Sequence, residues 1–484
     1  MRRPHLEIIK MNKNVFLPLL GIAIVAAGCT MAPKYTRPNA PVPAEWPNGV
    51  AYASQLSTNN SQLPKWQEFI TDEKLQQVIG MALTNNRDLR IAALNVERSR
   101  AMYGIQRGEL LPAINAAGSG SKASLPADLS GVTPPKRVTV ERYDANLGVA
   151  SWEIDFFGRI RSLKNEALEN YLATAQARRS AQILLVSSVA NAYLTLAADR
   201  ENLTLAENTL ATQQDAYNLI KRRHDLDLVS DLDLYRVQTQ VDAARRDVAR
   251  YRQQVAQDEN VLTLLVGSSV PGELLPTELG RVSAPKEIAC GLSSEVLLRR
   301  PDVLQAEDLL KAANADIGAA RAAFFPRVSL TAAIGTSSSE LSGLFKAGSG
   351  AWSYAPEIVM PIFDARTWSA NRAAKVQREI AVTQYEKAIQ SAFREVADAL
   401  AVRGTVDQQV AAQQSLVNAL AETYRLSNSR YDKGIDSYLS VLDAQRSLFA
   451  AQQELVFLRL AKLANQVQLY AVLGGGWREN SSQH

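Results

Sequence analysis

The chain has 484 residues, with 53 Lys and Arg against 49 Asp and Glu, three His, two Cys and 7% aromatic residues. Three scattered histidines cannot assemble a metal site or a His-based triad by sequence neighbourhood, and no Gly-rich phosphate cradle is present. Ala, Leu, Gln, Arg and Glu dominate long stretches nearly free of Gly and Pro, the composition of long, closely packed helices rather than of a deep aromatic core.

The first 28 residues read as an export signal: Arg2, Arg3, Lys10 and Lys13 precede the apolar run from Val15 to Val25, and Ala26-Ala27-Gly28 stand before Cys29. Met11 starts a complete signal of its own. The Ala-Ala-Gly-Cys ending resembles a bacterial lipoprotein signal, which predicts a covalent lipid on Cys29; ordinary cleavage with a free Cys29 is the alternative. Loss of residues 1–28 removes four basic residues and one acidic residue, so the formal charge falls from +4 to +1. That balance gives no support for a nucleic-acid partner, whose phosphates need a cationic stripe. Cys290 is then the only other thiol, read as a small buried apolar residue.

Residues 29–64 carry Pro33, Pro38, Pro41, Pro43, Pro47 and Pro64, which fix an extended tether. A helix follows over roughly 72–110, stopped by Pro112, then strands near 113–124 and 138–154 around the Pro- and Gly-bearing stretch 125–136. From about Ile160 to Arg223 there is neither Pro nor Gly, which predicts a helix roughly 90 Å long at ~1.5 Å per residue. Its partner covers about 231–265. The same order then returns. In the second strand pair Val328, Leu330, Ala332 and Ile334 alternate with Ser329, Thr331 and Ala333, while Trp352, Tyr354, Ile358, Met360 and Ile362 alternate with smaller or polar neighbours. Helices are predicted over 367–430 and 438–472. Apolar residues at Ile183, Val186, Ala190, Tyr193 and Ala197, and at Ile389, Phe393, Val396 and Leu400, have coiled-coil spacing.

The return is a duplication. A shift of 214 positions carries Asp88, Ala92, Ala101, Gly104, Arg107 and Pro112 onto identical residues, from Asp302 to Pro326. A shift of 207 carries Arg159, Val189, Ala190, Ala192, Arg223, Ser230, Leu232, Gln238, Ala243, Ala244 and Gly267 onto identical residues, from Arg366 to Gly474. One length change near 115–145 separates the two registers. The predicted organisation is residues 65–280 and 281–473 as two repeats of one interwoven body, with 474–484 as a tail.

An exported chain with amphipathic strand pairs admits two readings: a small sheet on a soluble core, or strands of a membrane barrel. No apolar stretch reads as long enough for a membrane helix, open sheet edges cannot survive in hydrocarbon, and single-chain barrels need about eight strands. This chain has four, so several copies would have to close the ring. Each helix pair turns tightly. Gly434 stands where a left-handed residue ends the helix, and Asp227 holds the matching place in the first turn.

The segments Asn85-Asn86-Arg87-Asp88-Leu89-Arg90, Trp152-Glu153-Ile154-Asp155-Phe156-Phe157-Gly158-Arg159, Ala312-Ala313-Asn314-Ala315-Asp316-Ile317-Gly318-Ala319-Ala320-Arg321 through Pro326, Val441-Leu442-Asp443-Ala444-Gln445-Arg446 and Leu473-Gly474-Gly475-Gly476-Trp477 resemble the lipoprotein branch of the TolC/OprM family of outer-membrane efflux channels. The resemblance covers essentially the whole mature chain. It implies a mainly α protein with a membrane β part: a homotrimer whose chains each give four strands to a twelve-stranded outer-membrane barrel and four helical elements to a periplasmic tunnel. It implies a periplasmic gate at Leu439, Asp443 and Arg446, with Ser440 where some relatives carry a second acidic ring. A solvated ion pair within one helix is the plainer reading of Asp443 and Arg446. It implies adaptor contacts at Asp227, Ser230, Tyr431, Gly434 and Ser437, an inner-membrane transporter of the resistance-nodulation-division type as further partner, and no enzymatic activity. The rival from another class is a periplasmic lipoprotein adaptor or scaffold without a pore.

Overall fold

A computed structural model describes residues 30–52, 63–288 and 293–476. The signal, the expected lipid-bearing Cys29 and the second thiol, Cys290, lie outside the described residues. After a single turn at Trp66–Phe69 come α1 (Glu73–Asn85), α2 (Arg87–Gly108), β1 (Ile114–Leu125), β2 (Val138–Ile154), α3 (Arg159–His224) and α4 (Asp231–Val266). The second round is α5 (Pro301–Ala322), β3 (Arg327–Ser338), β4 (Gly350–Val359), α6 (Ala365–Asp432) and α7 (Tyr438–Val472).

The helix expected over 72–110 is two helices, because Asn86 sits between them in an extended conformation. Its Oδ1 accepts from Leu89 N at 2.8 Å and so caps α2, while its Nδ2 donates to the carbonyl of Leu265 at 2.8 Å. Gly267 ends α4 with φ +76° directly beside this break; a Cβ there would stand 2.5 Å from the Asn85 carbonyl oxygen. One side chain and one glycine thus decide where the first helix stops.

The chain forms two compact units, and they do not coincide with the two sequence repeats: each takes parts of both. The first comprises Met1–Asn39, Val96–Ala173 and Ala306–Tyr385, described from residue 30 onward. Its centre is one antiparallel sheet in the order β1-β2-β3-β4, so β1 and β4 are both edges. Ile114 pairs with Val149, Leu147 with Ile334, Ile334 with Trp352, and Ala332 with Tyr354, which gathers the apolar side chains on one face. Asn146, Gly335, Ser337, Ser353 and Glu357 belong to the other. Trp352 is 81% exposed and Ile334 and Ile358 are each 70% exposed, a contiguous apolar surface of the kind that water does not tolerate.

The parity of β2 changes part-way. Val149 pairs with Ala332 but Trp152 pairs with Leu330, so three steps on β2 match two on β3. The extra residue is accommodated at Ser151, whose φ is +50° and whose N–H donates to Thr331 Oγ1 at 3.1 Å. This bulge returns Trp152 and Ile154 to the apolar face and leaves Glu153 on the polar one, where Arg159 binds it at 2.9 and 2.8 Å. Sequence alternation alone did not place these residues. On the polar side, Gly335 permits β2 and β3 to approach so closely that a Cβ would collide with the carbonyl of Ala145, as expected of a strongly coiled sheet.

The residues after Cys29 bind this same unit. Asn314 Nδ2 donates to the carbonyl of Pro33 at 2.7 Å, Tyr35 OH donates to Glu307 Oε1 at 3.0 Å, and Arg37 Nε donates to the same oxygen at 2.9 Å. A tether predicted from its prolines is, at residues 30–37, a docked strap.

The second unit comprises Ala40–Asn95, Thr174–Gln305 and Glu386–His484, described to residue 476. Its buried residues include Val186, Ala190, Tyr193 and Ala197 of α3 and Ile389, Val396 and Leu400 of α6, as the coiled-coil spacing predicts. Each large side chain buried here contributes about 1.5–3 kcal/mol. Phe69 stacks on Tyr470 with centroids 4.1 Å apart, and Trp46 on Phe393 at 5.0 Å. Contrary to the sequence reading, one stretch of α3 is long and apolar enough to cross a membrane, but more than half of it is buried within the protein. It is the core helix of this unit.

Candidate functional site

All the residues singled out from the two turns and from α7 lie in the second unit. The turns are built alike. In the first, Leu228 N donates to Arg223 O at 2.9 Å and Asp227 N to His224 O at 2.8 Å; in the second, Ile435 N donates to Arg430 O at 2.9 Å and Gly434 N to Tyr431 O at 2.8 Å. This pair of bonds closes a helix around a left-handed residue, and Asp227 (φ +58°) and Gly434 (φ +71°) are those residues. Three positions on, Ser230 caps α4, accepting from Asp233 N at 3.3 Å, while its own hydroxyl donates to Asp233 Oδ2 at 2.7 Å. Ser437 begins α7 without a side-chain cap, and Ser440 stands where the first copy has Asp233.

The turns meet. Arg223 Nη1 donates to Tyr431 OH at 2.7 Å, and the Tyr431 and Tyr438 rings touch edge to face at 4.9 Å. Beneath them Ile220, Val237 and Leu442 form an apolar cluster to which Tyr217, Val229 and Leu234 add. Burial pushes the Tyr438 hydroxyl above its ordinary titration range. Arg430 grips Asp436 at 2.6 and 3.0 Å and holds its carboxyl below the usual carboxylate range. In the first copy the matching Arg223 binds Tyr431 instead, while His224 and Asp231, which match Tyr431 and Tyr438, come together with His224 Nε2 2.7 Å from Asp231 Oδ1.

Leu439, Asp443 and Arg446 occupy steps of four and three on α7 and form an outward stripe, whereas Val441, Leu442, Ala444 and Gln445 between them are buried. Leu439 is 44% exposed. Arg446 Nη2 donates to Asp443 Oδ1 at 3.2 Å with both side chains open to solvent. Behind the stripe, Gln213 Nε2 donates to Gln445 Oε1 at 2.9 Å, fully buried, tying α3 to α7. Sequence reasoning missed Arg223, Gln213 and Tyr438. Their partners are more than 200 residues away except for Tyr438, and polar residues of long helices carry no local sign of a distant contact.

The sequence matches the family described as outer membrane efflux protein over residues 78–268 and 292–475. The chain belongs to this family. The outer membrane efflux proteins it resembles include the antibiotic efflux pump outer membrane protein ArpC of Pseudomonas putida, 48% identical over 476 residues, which is 98% of both chains. The toluene efflux pump outer membrane protein TtgC of the same species shows the same identity and coverage. Among solved structures, the open state of the MtrE outer membrane channel of Neisseria gonorrhoeae superimposes with a TM-score of 0.83 at 36% identity, over 93% of this chain and 98% of that one. As an outer membrane efflux protein, the chain resides in the outer membrane and contributes to a transport channel. The four-stranded sheet with its exposed apolar face is the part suited to lipid, and the adaptor reading lacks any counterpart to it.

Proposed function

We propose that three copies of this chain close their sheets into a twelve-stranded barrel, forming the exit duct of a tripartite efflux pump. The observation that carries this is the sheet itself: four strands, two unpaired edges and one exposed apolar face. Unpaired edges are untenable in hydrocarbon, and four strands cannot close. Pairing β4 of one copy with β1 of the next removes every edge and turns Trp352, Ile334 and Leu147 toward lipid.

The duct conducts passively; its residues perform no catalysis and need no cofactor beyond a covalent lipid on Cys29. A periplasmic adaptor docks on the turns through Asp227, Ser230, Tyr431, Gly434 and Ser437, and an inner-membrane transporter of the resistance-nodulation-division type supplies the energy. Cargo is small toxic compounds, of the kind named for the toluene and antibiotic relatives. Leu439, Asp443 and Arg446 form the periplasmic gate: in a closed ring their common outward stripe gives an apolar collar above a ring of carboxylates. Gel analysis without heating and planar-bilayer recording test the reading together. A detergent-resistant trimer that passes ion current is expected; a monomer soluble in plain buffer overturns it.

A further inference from the structure

We propose that Asp199, Asn202 and Asp258 form a partly buried proton-binding site between α3 and α4, in which the two carboxyl groups share one proton at neutral pH. Asp199 and Asn202 lie three residues apart on α3, and Asn202 and, from α4, Asp258 both come within hydrogen-bonding reach of the Asp199 carboxyl. Asp258 Oδ2 is closed off from solvent, and no donor among the described residues reaches it. Asn202, 9% exposed, likewise leaves Oδ1 without a donor. A shielded carboxyl oxygen with nothing to accept from calls for a hydrogen, and two touching carboxylates cannot both remain ionised. A proton on Asp258 makes it a donor to Asp199, giving a neutral acid against one carboxylate.

The neighbouring charges do not supply an alternative. Arg200 of α3 is bound by Glu259 at 2.6 Å, and Arg459 of α7 by Glu201 at 2.8 Å. On α4, Arg250 lies over the Tyr251 ring and 3.8 Å from Asp247; its charge favours ionisation of Asp199, the carboxylate of the pair. Tyr251 OH accepts from Gln453 Nε2 at 2.8 Å. The duplication offers a control: a shift of 207 takes Asp199 to Val406 and Asp258 to Asn465, both buried, so the second hairpin fills the same place with uncharged groups.

Burial pushes Asp258 up to about 7, and its contact with Asp199 acts in the same direction. Burial pushes Asp199 up as well. A carboxyl whose folded value lies above its unfolded one holds its proton only in the folded state between the two. Its stabilisation is therefore complete in acid and lost as pH rises through about 7.

The test compares apparent melting of the full-length, detergent-purified protein with Asp258→Asn, whose amide mimics the protonated acid. The melting temperature of the variant minus that of wild type should rise by a few degrees between about pH 5 and about pH 8, with Asp199→Asn also flattening the wild-type slope. A difference that does not change with pH overturns the site, and so does a variant that loses ground in alkali, the signature of an ionised carboxylate holding a cation. If Asp258→Asn does not assemble, infrared difference spectra of Asp199→Asn decide: a protonated-acid carbonyl band present in wild type near neutrality must change, and an unaltered band refutes the proposal.

Discussion

Asp227 and Gly434, 207 positions apart in the sequence, adopt the same left-handed backbone conformation at the ends of α3 and α6, with φ of +58° and +71°. Only the glycine does so without a steric cost, since a side chain in this region is disfavoured by roughly 1–2 kcal/mol. Gly434→Ala is therefore expected to destabilise the second hairpin by about 1 kcal/mol, while Asp227→Gly leaves the first unchanged or slightly more stable. Thermal melting of the two variants checks this, and a loss of stability in Asp227→Gly would show that the aspartate side chain, not the backbone, holds the first turn.

The Asp443–Arg446 pair predicts a separation of conductance from stability. An exposed ion pair on one helix contributes about 0.5 kcal/mol or less, so Asp443→Ala and Arg446→Ala should barely move the melting temperature. With Leu439→Ala added to Asp443→Ala, single-channel conductance in planar bilayers should rise. Unchanged closed-state conductance would remove these residues from the gate.

The bulge at Ser151 sets the lipid face of the end of β2. Deleting Ser151 removes the extra residue and leaves Val149, Ala150 and Trp152 in regular alternation, so Trp152 and Ile154 stay on the apolar face, whereas deleting Ala150 as well moves them to the polar face and Glu153 to the apolar one. The double deletion should abolish recovery of the protein from outer membranes, whereas the single deletion and Ser151→Gly, which suits φ +50°, should be recovered at close to wild-type levels. Membrane fractionation with immunoblotting distinguishes the two.

Glu307 predicts an acid-sensitive strap. Burial alone would raise its carboxyl, but hydrogen bonds from Arg37 and Tyr35 and the charge of Lys311 outweigh that and hold it below the usual range. Its side chain is 4% exposed. A depressed carboxyl stabilises above its unfolded value and ceases to as pH falls through the lower folded one. The segment 30–37 should resist trypsin at neutral pH and lose that protection in Glu307→Gln, with cleavage after Lys34 faster by about tenfold or more, from about 1–3 kcal/mol of lost hydrogen bonding, while pepsin, which works in acid, should reach the wild-type segment as pH falls. Equal cleavage of variant and wild type would show that the prolines alone hold the strap.

Residue order by itself determined the helices, the four strands, the duplication and the left-handed turn residues. These follow from nearest neighbours: a proline-free run, an alternation or a glycine acts on the backbone within a few residues. The positions Leu439, Asp443 and Arg446 came from the resemblance to the TolC/OprM family and not from local pattern, and their steps of four and three put them on one face of α7. Tertiary structure decided what depends on distant partners: that Asn86 breaks the first helix by bonding Leu265, that Ser151 resets the face of β2 against Thr331, that Arg223 finds Tyr431, and that the strap is docked through Glu307. It also decided that the most apolar stretch of α3 is a core helix, since burial against neighbouring helices, and not hydropathy, separates a membrane span from an interior one. Local patterns fix backbone geometry, but a polar side chain acquires its role only when folding sets its partner within hydrogen-bond reach.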